Sequence, residues 1–110
     1  MGRRTTPRKY PPIPTQIDAP SGAIQIVLAD DLDGKNPTPD DTDTMGQFDP
    51  LSRLISLRRK MSRRQQWYTL FHEEVHLWLH ESGISNGLNG KLEEAICDAV
   101  ATGMMRERFG

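Results

Sequence analysis

The chain has 110 residues, 35% hydrophobic and 26% charged, with a formal net charge of −1 and one cysteine, Cys97. That length supports a single domain with a small core. The charge balance favours neither nucleic acid nor an anionic membrane surface, and a lone cysteine excludes an internal disulfide. No run approaches the roughly 20 apolar residues of a bilayer span, and no secretory apolar segment follows Met1, so the chain reads as soluble and cytoplasmic.

Residues 1–22 hold five prolines and four basic residues. Proline lacks the N–H that helices and inner strands need, so this stretch reads as an extended or disordered arm, with residues 23–110 as the domain. Ala23–Ala29 is rich in Ile and bounded by Gly22 and aspartates, which predicts a strand. Asp30–Thr44 carries six aspartates, Gly34 and two prolines, a solvated loop. Its Asp31, Asp33 and Asp40 partly imitate a calcium loop, but Ala29 stands where the first ligand belongs, and an acidic turn is the simpler reading. Met45–Asp49 reads as a short strand. In Leu54–Arg58, Ile55 and Leu57 alternate with Ser56 and Arg58, the pattern of a half-buried strand. Six basic residues without an acid lie between Arg53 and Arg64; they read as a solvated strand end whose side chains pair in part with the aspartate loop.

Ser62-Arg63-Arg64-Gln65 has the form of a capping box, which starts a helix. Trp67, Tyr68, Phe71, Val75, Trp78 and Leu79 fall into an apolar sector roughly 120° wide at helical periodicity. Ser82-Gly83-Ile84 predicts its end, with glycine in the left-handed region and Ile84 folding back as a hydrophobic contact. A second helix is predicted from Lys91 to Arg108, with so apolar a middle that it should be largely buried.

His72 and His76 lie four residues apart on the first helix and therefore on one face. Two imidazoles so placed can reach one zinc ion, and Glu73 can reach a water at the metal's open position, the H-E-x-x-H arrangement of metallopeptidases. A catalytic zinc needs a third protein ligand. Glu94 and Asp98, four apart on the second helix, share a sector with Ala101 and Met105, and acids on an apolar face are costly unless paired or metal-bound. This spacing lets Glu94 bind the metal while Asp98 accepts a hydrogen bond from a ligating imidazole. His80 lies roughly 12 Å along the helix from His72, too far to share its metal. Leu79 and Ser82 break the longer three-histidine pattern. Cys97 reads as a packing residue on a buried helix.

The runs Trp67-Tyr-Thr-Leu-Phe-His-Glu-Glu-Val-His and Leu92-Glu-Glu-Ala-Ile-Cys-Asp-Ala-Val-Ala together resemble the small gluzincin-type metallopeptidases. They are most similar to the ImmA/IrrE family of phage and mobile-element peptidases, over roughly residues 45–105. Val75 stands where the family usually has glycine, and Cys97-Asp98 where it has a small residue followed by Asn. The resemblance implies a zincin-like α+β fold: a small antiparallel or mixed sheet packed on an active-site helix and a second, ligand-bearing helix. It implies zinc held by His72, His76 and Glu94, with Asp98 behind a ligand and Glu73 as the general base of peptide hydrolysis. Leu54–Arg58 is the expected edge strand for an extended protein or peptide substrate, with Tyr68 and His80 as candidate oxyanion stabilisers. The competing expectation is a catalytically inactive zinc-binding interaction module of a phage or mobile element, its metal closed by four protein ligands.

Overall fold

The computed structural model describes residues 10–30 and 45–110. Strands β1 (Gln16–Ala19), β2 (Gly22–Ala29), β3 (Gly46–Asp49) and β4 (Leu54–Arg58) precede helix α1 (Arg63–Glu81), a 3-10 turn (Ile84–Gly87) and helix α2 (Gly90–Phe109). The four strands form one sheet in the order β1-β2-β4-β3. The outer pairs are antiparallel and the central β2–β4 pair is parallel, with Ile26 opposite Ile55 and Leu28 opposite Leu57. The fold class is α+β with a mixed sheet, as expected. The acidic turn with the calcium-like spacing lies outside the described residues.

Alternation explains the sheet. Ile24, Ile26, Ile55 and Leu57 point to one face and are buried, while Gln25 and Val27 on the other face are exposed. Helix α1 covers the buried face with Leu70 and Leu77, and presents Trp67, Phe71 and Val75 on its other side, all buried. It is the middle layer, with the sheet on one side and α2 on the other. The capping box at Ser62 and Gln65 is formed, and Arg59 pairs with Asp30 at 3.0 Å.

Three expectations are corrected. First, β4 is not an edge strand. Two of its three apolar residues, Ile55 and Leu57, are fully buried and both its sides are paired, so among the described strands the outer positions belong to β1 and β3. Second, residues 10–22 are not a detached arm. The boundary expected after residue 22 falls inside a hairpin, where Gln16–Ala19 pairs with β2 and Gly22 sits at a φ of 126° after the Pro20-Ser21 turn. The prolines are tolerated because carbonyls, not N–H groups, make the contacts: Trp67 Nε1 donates to Pro11 O at 2.6 Å and Ile26 N to Thr15 O at 2.9 Å. Third, α2 is not largely buried. Only Cys97, Ala101 and Met105 are fully buried, with Met104 and Phe109 partly so, since α1 lies against one stripe of it and Leu92 and Val100 face solvent. Trp78 and Ile84 are likewise 39% and 53% exposed, and Gly83 (φ 81°) ends α1 in the left-handed region as expected.

Candidate metal centre

Asn89 caps α2 by accepting a hydrogen bond from Leu92 N at 2.8 Å, which fixes where the helix begins. Glu93, Glu94, Cys97 and Asp98 are turned toward the histidine face of α1, where successive turns bring His72 and His76 to a ring separation of 4.9 Å. One carboxylate spans the two rings: Glu94 Oε1 lies 3.1 Å from His72 Nε2, and Glu94 Oε2 lies 2.7 Å from His76 Nε2. The outer ring nitrogens are also engaged. Asp98 Oδ1 lies 2.9 Å from His72 Nδ1, and Glu93 Oε2 lies 2.6 Å from His76 Nδ1. Tyr68 donates its hydroxyl to Asp98 at 2.8 Å. The sequence-derived group His72, His76, Glu94 and Asp98 thus meets in one place.

Beneath this group lies Cys97. Fully buried, its Sγ falls within 4.8 Å of ligand nitrogens of both His72 and His76, close enough for the three to hold one metal ion. The sequence reading placed Cys97 among packing residues because a small apolar side chain suits a helix stripe, and that stripe is indeed its setting. Glu93 was not singled out at all.

Electrostatics follow from burial among like charges. Glu73 is 8% exposed, and burial raises its carboxyl pKa, with His76 and His72 pulling the other way. Burial lowers that of His76, but the bond to Glu93 and the carboxylates of Glu73 and Glu94 outweigh it, for a net rise. The Cys97 thiol is pushed up to about 12 by burial and then by Glu94, Glu93, Glu73 and Asp98. Tyr68 is raised to about 12 by burial and by its bond to Asp98, so it stays protonated with that proton directed at Asp98.

The cluster opens into a cleft of about 840 Å³ whose far wall is β3. Gly46 makes this wall close. A Cβ there would collide with Thr69 Cγ2 and stand 3.3 Å from Glu73 Cγ. Phe48 stacks edge-on against His80 at 6.1 Å, so His80 lines the cleft apart from the paired histidines. Two ring nitrogens facing one carboxylate oxygen each, with both opposite nitrogens held by acids, is a donor set suited to a divalent ion such as zinc. Among the described residues no helix is long and apolar enough to cross a membrane. Residues 27–108 match the family model described as the IrrE N-terminal-like domain, Peptidase_M78. No curated protein and no solved structure matches the chain.

Proposed function

Because this chain belongs to the IrrE N-terminal-like family of peptidases, we propose that it is a zinc metallopeptidase with His72, His76 and Glu94 as the metal ligands and Glu73 as the general base. The observation that carries the reading is the single Glu94 carboxylate within 3.1 Å of both histidine Nε2 atoms. When bound, zinc supplies Lewis acidity to a water and to the scissile carbonyl.

The protein's own groups do the rest. Glu73 accepts a proton from the attacking water and passes it to the departing amine, and its raised pKa brings it nearer to the working pH for both transfers. Asp98 holds the His72 ring through Nδ1. β3, the outer strand among the described residues, is the one along which an extended peptide substrate adds by backbone hydrogen bonds, and Gly46 brings it against Glu73. Tyr68 and His80 remain the candidate oxyanion donors. Tyr68 has to release Asp98 to serve, and His80 lies on the cleft wall beside Phe48.

Cys97 favours a second reading. With its thiolate as a fourth protein ligand the centre closes, as in a structural zinc site, and the protein is a zinc-binding interaction module. Metal analysis combined with a peptide-hydrolysis assay separates the two. The peptidase reading expects one zinc per wild-type chain, loss of most zinc in His72→Ala, His76→Ala and Glu94→Ala, and full zinc with roughly 10²–10⁴-fold slower hydrolysis in Glu73→Gln. Full occupancy in Glu94→Ala rejects the third ligand. A thiolate-to-cobalt charge-transfer band in the cobalt-loaded chain, without hydrolysis, selects the module.

A further inference from the structure

The two histidines are not held alike. Asp98, the carboxylate on His72 Nδ1, has a side chain 58% exposed, whereas Glu93, on His76 Nδ1, is 19% exposed at a shorter contact of 2.6 Å. A charge-assisted bond is weakened less by solvent where it is buried, so the restraint on His76 is the stronger. Glu93 is also held from behind by the helix itself. The Asn89 cap and the bond from Glu93 N to Asn89 O at 3.0 Å hold the backbone of the first turn of α2, from which its side chain reaches His76. The bland account is that an acid in the first turn of a helix answers the helix dipole. That account predicts a side chain turned to solvent, not one 2.6 Å from an imidazole and mostly covered.

We propose that Glu93 is the positioning residue for His76, accepting the Nδ1 proton so that Nε2 faces Glu94 and the metal. This rests on the reading of His76 as a ligand. A ligating imidazole must present one nitrogen with its lone pair free, and an acceptor on the other nitrogen fixes which one and locks the ring. Neither Glu93 nor its contact belongs to the H-E-x-x-H pattern, and the adjacent Glu94 faces both rings. Two consecutive glutamates therefore divide the work, the first orienting and the second coordinating.

The test is zinc affinity, measured by competition with a chromophoric chelator on the full chain, for wild type, Glu93→Gln and Glu93→Ala. Proton NMR of the zinc-loaded proteins follows the His76 Nδ1–H. Glu93→Ala is expected to weaken zinc binding roughly 10–100-fold, with the Nδ1–H signal moved upfield and exchanging rapidly with water. Glu93→Gln is expected to fall between alanine and wild type and to keep a protected signal, because its amide oxygen still accepts the proton. Equal affinity in Glu93→Ala and wild type overturns the proposal and leaves the metal site standing. So does weaker affinity with an unchanged Nδ1–H signal, which assigns the loss to the helix terminus. A wild-type chain that takes up no zinc overturns both.

Discussion

Glu73 and Glu74 are neighbours in sequence with different fates. Glu73 points into the cleft, whereas Glu74 turns to the opposite flank near Arg108, where burial pushes its carboxyl up to about 7 against the pull of that arginine. A carboxyl whose pKa is higher folded than unfolded stabilises the fold at low pH, and that contribution is lost as pH rises from about 4.5 toward 7. Glu74→Gln removes the titration. Its denaturation midpoint, taken in chelator so that metal affinity does not enter, is expected to gain on wild type across that window and to hold a constant advantage above it. Parallel pH profiles for the two proteins would refute this. At this scale the sequence was informative where spacing alone determines direction: His72, His76, Glu94 and Asp98 were found because positions four apart share a helix face. Glu93 and Cys97 escaped because their roles depend on how α2 is rotated against α1, which no local pattern encodes.

Elements were legible in proportion to their periodicity. β4 and both helices carried clear patterns, and the Ser62–Gln65 box marked the start of α1. β1 did not, since four residues after a run of prolines show no alternation long enough to read, and its pairing comes from the Pro20-Ser21 turn folding it onto β2. Strand order was hidden as well. The parallel β2–β4 pairing places β3, not β4, at the outside of the described sheet, a long-range pairing that no local pattern specifies. The fit of β3 hinges on Gly46. A methyl group at this position would overlap the Thr69 Cγ2 methyl and crowd Glu73 and Leu57 at 3.3 Å each, so something here must shift. Gly46→Ala is therefore expected to cost about 1–3 kcal/mol of stability as overpacking does. Hydrolysis should suffer more than the folded fraction, because the edge strand and the base move apart. A variant with wild-type midpoint and turnover would show that β3 does not set this distance.

Across the whole molecule, the N-terminal segment and the helices share one core. Tyr10 stacks edge-on against Phe109 at 5.0 Å, and Phe109 in turn meets Trp67 at 5.4 Å. Deleting residues 1–20 strips β1 from the sheet and Pro11 from the Trp67 indole, so the truncated chain is expected to melt lower by roughly 10 °C or more, taking about 2–3 kcal/mol for the lost apolar cover. An unchanged melting temperature would restore the segment to the status of a separate arm. Composition had suggested that status, because proline content reports on N–H donors and says nothing of carbonyls used as acceptors. The division of the cluster between α1 and α2 has a thermodynamic consequence for the outermost layer. α2 is held by one narrow buried stripe and by the histidine–carboxylate contacts, so any ion bridging those groups is a ligand of the folded state alone. At free metal a thousand times its dissociation constant, such an ion adds about 4 kcal/mol to stability. With the site filled as proposed, withdrawal of the metal is expected to lower the stability of the fold and to loosen this outer helix first.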